Sequence, residues 1–200
     1  MKRIYLALGA LFLLLVPACS SPSHAADPPS TTAAPTKTAP ADPYAIPQVI
    51  TVAYVNSVLK ALFDVYGDAT RSLAAERAVT PSVKADLRAI YLDPFYGDQI
   101  RAADISLRGA ISNIRSDPGN PVATVEHLDD GSASCIFVET KTDLAAVLRS
   151  TTPGAASEYY ELVPKPSSID PGHINPTPWA IGFNVAYTTP TRMVHGCGGS

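Results

Sequence analysis

The sequence predicts an α+β domain in which helices come first along the chain and antiparallel strands follow. Apolar residues recur at intervals of three and four through residues 47–107, which is the period of a helix with one buried face. After a turn at residues 117–120 the period changes to two, which is the period of a strand. This order predicts a curved antiparallel sheet whose one face is covered by helices.

The first predicted helix covers residues 47–66. Its apolar residues recur at helical spacing, namely Val55, Val58, Leu59, Leu62 and Tyr66. Gly67 follows them as a stop signal. Residues 68–77 contain good helix formers, and we expect them to form either a second short helix or a continuation of the first.

Two proline pairs predict two further helices. Thr80 is expected to be the N-cap, and Pro81 the first residue, of a helix whose apolar stripe is Val83, Leu87, Ile90 and Tyr91. Asp93-Pro94 repeats this start signal and predicts a helix over residues 95–107. Residues 108–115 can continue that helix or begin the sheet.

Four strands are predicted after residue 120. Residues 122–128 and 134–142 form a hairpin joined by turn residues 129–131, and a third strand covers 158–163. The fourth strand alternates most clearly, and its bulky residues are expected to point one way, namely Trp179, Ile181, Phe183, Val185 and Tyr187. The helices are the available cover for that face.

This order of elements resembles the NTF2-like, or cystatin-like cone, fold over residues 45–190. The resemblance is carried by a long helix at residues 55–63, a helical segment at 83–87 and long strands that end at residues 179–185. It implies a curved sheet that wraps around a helix and encloses a pocket. The expected pocket residues are Trp179, Phe183, Tyr187 and Tyr91.

The N-terminus carries an export signal. Lys2 and Arg3 precede an apolar stretch over residues 4–16, which is too short to span a membrane. Together with Cys19, this resembles the signal of bacterial lipoproteins, in which the cysteine is acylated and the chain is cut before it. The resemblance implies attachment to the outer face of the cytoplasmic membrane, whereas cleavage near residues 23–26 would instead release a soluble protein.

The chain is divided into three segments by composition. Residues 1–18 are the signal peptide, and residues 19–43 are a tether rich in Pro, Ala, Ser and Thr that cannot bury enough surface to fold. Residues 44–200 have the composition and length of a single globular domain. Such tethers precede this fold in the envelope proteins of actinobacteria that the chain resembles.

The cysteines predict one disulfide. If Cys19 is acylated, Cys135 and Cys197 remain, and an even number in an oxidising compartment favours their pairing. The bond would close a loop of about 60 residues and contribute about 3–4 kcal/mol. The alternative is two free thiols. Cys197 with His195 and His173 also resembles a metal site, but this spacing is not typical of one, so no metal is expected.

Charge and motifs exclude several functions. Loss of Lys2 and Arg3 leaves 13 basic against 18 acidic residues, a net charge of about −5, and the sequence contains no basic cluster. We therefore expect no binding to nucleic acid and no electrostatic binding to anionic lipid. No phosphate-binding glycine loop, nucleophile elbow or HExxH helix occurs, so neither a cofactor nor hydrolysis is expected.

A proton-transfer enzyme of this fold would need an acid or base in the pocket. The candidate residues are Glu126, His127, Glu139, Asp86, Tyr91, Tyr159 and Tyr160. Strict alternation places Glu126 and His127 on opposite faces, so they are not expected to form a pair. Solvated surface residues and core tyrosines are the favoured interpretation, so no catalytic residue is assigned.

The proline-rich residues 164–178 are too long for a hairpin turn. They are expected to cover a sheet edge, or to form a lid or rim whose contact residues are Ile169, His173 and Ile174. The function favoured by the sequence is a lipid-anchored, non-catalytic interaction module that binds another envelope protein. The alternatives are a binder of a small apolar ligand and, third, a proton-transfer enzyme.

Overall fold

The computed structural model describes residue 42, residues 44–108, 113–149 and 155–186, and residue 197. These residues all belong to one compact unit, Pro40–Ser200. Three helices precede a four-stranded antiparallel sheet of order β1-β2-β3-β4, so the predicted α+β class is confirmed. Predictions that concern residues 1–41 and 43, including Cys19, lie outside the described residues.

Helix α1, Val52–Glu76, is the longest element. Its N-cap Thr51 accepts a hydrogen bond from the Tyr54 N–H, and it ends at Arg77, whose φ is 53°. The predicted stop at Gly67 is therefore wrong, because the helix continues through it. Gly67 instead lets Asn120 approach α1 closely, because a Cβ at position 67 would lie 2.0 Å from Oδ1 of Asn120.

Asn120 fastens α1 to the residues that lead into the sheet. Its Nδ2 donates to Oδ1 of Asp64 at 2.7 Å, and its Oδ1 accepts from Arg71 at 2.7 Å. A side chain at position 67 would collide with this bridge, so the glycine is selected by packing and not by helix termination.

Helix α2, Pro81–Ile90, begins as predicted, because the Thr80 hydroxyl accepts from the Val83 N–H. Helix α3, Phe95–Arg108, follows a cis Asp93–Pro94 bond and contains no fully buried residue. The helix ends at Arg108, and within residues 108–115 the structure describes an isolated antiparallel bridge from Ile114 to Leu148.

The strands are β1, Val122–Gly131; β2, Ile136–Asp143; β3, Ala156–Pro164; and β4, Trp179–Ala186, with a short 3-10 helix at Ser167–Ile169. The inner face of the sheet packs on α1 and α2 to form the core. Fully buried residues from both layers meet there, namely Val55, Leu59, Leu62, Ile90, Ile136, Val138, Leu162, Trp179 and Ile181. The packing of helices on a sheet was therefore predictable from the helical and strand spacing of apolar residues in the sequence.

The disulfide that the sequence predicts is present. Sγ of Cys135 and Sγ of Cys197 lie 1.96 Å apart, and Cys135 directly precedes β2. The bond joins residues 62 positions apart in sequence, so it ties the C-terminal part of the chain to the start of a central strand.

Candidate functional site

Two of the predicted pocket residues are part of the core. Trp179 is fully buried, and its Nε1 donates to the hydroxyl of Tyr54 at 2.8 Å. Tyr91 is buried edge-on between Tyr66 and Phe95, with ring centroids 6.5 and 5.3 Å away. Burial raises the pKa of Tyr91 well above its usual value. Both side chains therefore fill space that a ligand would need. Tyr187 lies outside the described residues.

Phe183 lies on the other side of the sheet from Trp179, which contradicts the predicted grouping. Ile181 pairs with Leu162, but Phe183 pairs with Glu161, so β4 holds one extra residue, Gly182. Because this β-bulge breaks the two-residue alternation, Phe183 points to the outer face whereas Ile181 points to the helices. The single apolar stripe predicted for β4 is divided between the two faces.

The outer face of the sheet carries an aromatic group. Phe137 and Tyr159 stack with centroids 5.5 Å apart and ring planes 3° apart. Cross-strand pairing sets Val185 of β4 beside Tyr159, and Phe183 beside Glu161. Burial raises the pKa of the Glu161 carboxyl.

Four of the predicted acid–base candidates lie on this outer face. His127 pairs with Glu139 across β1 and β2, and Glu139 pairs with Tyr159 across β2 and β3. Glu126 also lies on the outer face, in a groove with Lys141, because β1 has a bulge between Val125 and His127. The prediction that Glu126 and His127 face opposite ways is therefore wrong.

These outer-face residues do not form a catalytic constellation. His127 is 68% exposed, and its Nε2 lies 3.4 Å from Oδ1 of the partly exposed Asp129. The last predicted acid, Asp86, belongs to α2, where burial and the nearby Asp68 raise its pKa. None of these geometries holds a base against a second reactive group in a closed site.

A carboxylate–tyrosine cluster that sequence reasoning missed lies on the inner face. Oε2 of Glu158 accepts hydrogen bonds from the Tyr160 hydroxyl at 2.5 Å and from Nδ2 of Asn184 at 3.3 Å. Tyr160 is buried against Phe63, and burial together with Glu158 raises its pKa. Glu158 and Asn184 were not singled out by the sequence, although Glu158 stands two residues before Tyr160 on the same face.

The proline-rich loop after β3 is held by a buried ion pair. Nζ of Lys165 donates to Oδ2 of Asp170 at 2.6 Å and to the Asn175 carbonyl at 2.5 Å. Nδ2 of Asn175 then donates to the carbonyls of Ala89 and Trp179. The loop is therefore joined both to α2 and to β4.

Of the three contact residues predicted for this loop, Ile169 is buried and Ile174 is 39% exposed. His173 takes the left-handed backbone conformation, with φ of 53°. The burial of Ile169 contradicts its assignment to a partner-binding rim. The loop fits the expected covering role better, because Ile169, Asp170, Asn175 and Thr177 are buried, although residues 171–174 between them are exposed.

An exposed apolar residue marks the free edge of the sheet. Val122 begins β1, which is an edge strand, and it is 60% exposed. It separates two open grooves. One groove is lined by Asn56 and Lys60 of α1, and the other by Lys141 and Asp143 of β2.

Backbone groups at this edge point away from the sheet. The Val125 N–H donates to Oδ1 of Asn56 at 3.0 Å, so it is directed away from β2. By the two-residue period of a strand, the N–H and C=O of Ala123 point the same way. Because Asn56 already accepts from the Val125 N–H, the outward N–H and C=O of Ala123 are the groups that the start of β1 offers beside the exposed valine.

The described cavities include a small one between α1, α2 and α3. It has a volume of about 70 Å³, room for a few water molecules, and is lined by residues such as Tyr66, Leu73, Leu87 and Leu148. Trp179, Phe183 and Tyr91 do not line it. In the described part of the chain, no cluster of His, Cys, Asp or Glu has the arrangement of a metal site.

Comparisons with protein-family models, with curated proteins and with solved structures found no match to this chain. None of the described helices is long and apolar enough to cross a membrane.

Proposed function

We propose that this chain is a lipid-anchored envelope protein whose domain binds a partner protein through the edge of β1. The observation that carries the proposal is Val122, an apolar side chain 60% exposed at a free sheet edge between two grooves. An extended segment of the partner adds to the edge as a fifth strand and places an apolar side chain against Val122.

The contact is confined to the first residues of β1. Bulges fall between Val125 and His127 and between Leu128 and Asp130, and acidic residues occupy this part of the strand. Bulges and charges protect an edge strand from pairing. Residues 122–124 lack both features, and the outward N–H of Val125 is already bonded to Asn56, so residues 122–124 are the part of the edge that accepts a partner strand.

The anchor in this proposal is Cys19, and the tether of residues 19–43 holds the domain away from the bilayer. Acyl chains on one cysteine supply enough buried CH₂ groups for stable attachment. Cys19→Ala is expected to abolish acylation and to leave the chain uncleaved or released from the membrane. The measurement is detergent partitioning of the whole protein, and partitioning equal to that of the wild type would contradict the anchor.

Photo-crosslinking tests the partner site. A benzophenone amino acid at position 122 of the full-length lipoprotein is expected to give one defined crosslinked protein in the membrane fraction. The same probe at Ser168, an exposed residue in the loop after β3, is the control. Equal products from both positions, or a product from Ser168 alone, would contradict recognition at the β1 edge.

We further propose that the fold is of the NTF2-like cone type. The features that support it are the 25-residue helix α1 and the four-stranded antiparallel sheet that packs on it. The bulges in β1 and β4 are also the usual means of curving a sheet around a helix.

The Glu158 cluster supports a second candidate function, binding or proton transfer on a small molecule. The resemblance to NTF2-like proteins implies an acid beside a tyrosine on the inner face, and Glu158 with Tyr160 has this arrangement. Native mass spectrometry of the exported protein would then show extra mass from a co-purified molecule, and Glu158→Gln would lose it. A bare protein mass for the wild type would contradict this candidate.

A further inference from the structure

Four cations gather around one groove, although they are dispersed in the sequence. Arg77 lies at the end of α1, Lys84 in α2, and Arg101 and Arg108 in α3. All four line the groove between α3 and the turn that joins α1 to α2, and one carboxylate, Asp104, lines it with them. The sequence has no run of basic residues. The fold assembles a basic cluster from three helices.

The floor of this basic groove is apolar. Val79, Ile100 and Leu107 line it and are partly buried against the core. A cationic rim over an apolar floor matches a ligand that has both an anionic group and hydrocarbon, because each part meets a surface of the complementary kind.

Two of the four cations lack an ionic partner. Arg101 pairs with Asp98 at 3.0 Å, and Arg108 pairs with Asp104 at 2.6 Å. Arg77 and Lys84 are exposed and form no ion pair within the part of the chain that the structure describes. These two side chains are the ones available to an external anion.

The exposed side of α3 adds an apolar residue between two of the arginines. Ile105 is 62% exposed, and it stands four residues after Arg101 and three before Arg108, so the three share one face of the helix. Long arginine side chains can extend to lipid phosphates while an apolar side chain between them enters the boundary between headgroups and acyl chains.

We propose that the basic groove is a second membrane contact that binds the headgroup phosphate of an anionic phospholipid. Arg77 and Lys84 bind the phosphate, and Ile105 enters the boundary between headgroups and acyl chains. The proposal rests on the proposed lipid anchor, which keeps the domain near a bilayer and raises its effective concentration there. The net negative charge of the chain opposes approach only over a Debye length, about 8 Å at physiological salt.

Vesicle co-sedimentation tests this proposal with an unacylated chain, residues 20–200, which keeps the whole described core because that core lies between Ile50 and Ile181. We expect binding to phosphatidylcholine vesicles that contain phosphatidylglycerol, and little binding to phosphatidylcholine alone. Arg77→Gln with Lys84→Gln should lower the partition coefficient at least tenfold, since each cation near an anionic surface contributes about 1 kcal/mol. Added salt should weaken wild-type binding in the same way.

The matched control removes two exposed cations that line neither the basic groove nor the grooves beside Val122, Arg115→Gln with Arg149→Gln, so both double variants have the same net charge. This control should bind the anionic vesicles nearly as well as the wild type. An equal loss in both variants, equal binding to both kinds of vesicle, or binding to neither would overturn the proposal. So would binding of dispersed short-chain phosphatidylglycerol without binding to vesicles.

These outcomes are independent of the proposed anchor and partner. The test chain lacks Cys19, so failure of acylation leaves the vesicle result unchanged. Val122 is also untouched in both double variants, so partner crosslinking in cells reports on the proposed function alone.

Discussion

At the scale of single residues, the least exposed ion pair described is that of Lys165 and Asp170, whose side chains are 11% and 0% exposed. Asp170 also accepts the backbone N–H groups of Ile174 and Asn175. A buried carboxylate with a cation and two N–H donors is fully satisfied, so its loss leaves several polar groups without partners.

Asp170→Asn is therefore expected to lower the free energy of unfolding by about 3–5 kcal/mol, because it leaves the Lys165 ammonium buried without a counter-charge. The exposed pair of Asp68 and Arg71 provides the control, and Asp68→Asn should cost less than about 1 kcal/mol. Urea denaturation of the oxidised protein measures both. Similar losses for the two variants would show that the Asp170 pair is not the anchor of the loop.

Two helical glycines give a matched pair of substitutions. Gly67→Ala should destabilise the protein by about 1–3 kcal/mol, because the new Cβ would overlap Asn120. Gly97 of α3 has nothing within 4 Å of a Cβ, so Gly97→Ala should be neutral or stabilising by up to about 1 kcal/mol. Thermal unfolding compares the two, and a stabilised Gly67→Ala variant would contradict the close approach of Asn120 to α1.

At the scale of elements, predictability depended on whether local signals alone decide the structure. Thr80-Pro81 correctly marked the start of α2, because capping is a local hydrogen bond. Gly67 was misinterpreted as a stop, since its reason is a contact with Asn120, distant in sequence. Phe183 was assigned to the wrong face for a similar reason: a bulge is a feature of strand pairing and leaves no trace in alternation.

For the candidate sites too, predictability depended on whether a local sequence signal decides the structure. The β1 edge was predictable only as a strand, because its exposure depends on the order of the sheet. The Glu158–Asn184 contact and the basic groove join residues from separate elements, so neither had a signal in the sequence.

Three tyrosines are expected to make the free energy of unfolding depend on pH in the alkaline range. Burial raises the pKa of Tyr66, Tyr91 and Tyr160 above the usual value of 10.0. The unfolded chain therefore releases these protons at lower pH than the folded protein, so stability is full below about pH 10 and falls as pH rises above it. The urea midpoint should fall less steeply with rising alkaline pH in Tyr91→Phe than in the wild type. An equally steep fall in both proteins would contradict a buried, neutral Tyr91.

At the scale of the whole molecule, the disulfide joins the C-terminal part of the chain to the sheet. Cys135→Ser with Cys197→Ser is expected to lower the free energy of unfolding by about 3–4 kcal/mol, mainly because the unfolded chain gains freedom. Reduction of the wild type should lower its free energy of unfolding by a similar amount and so lower its thermal midpoint. Reduction should leave the double variant unchanged. A wild-type midpoint that resists reduction would show that the bond contributes little.

At the same scale, the proposed function depends on recognition of one free strand edge, and its most direct test is Ala123→Pro in the full-length protein. Proline removes the N–H that points away from β2, so the sheet should keep its own hydrogen bonds and the thermal midpoint should change little. We predict that this variant stays in the membrane fraction and loses the protein crosslinked from position 122. A variant that keeps its partner at wild-type yield would contradict recognition through the β1 edge.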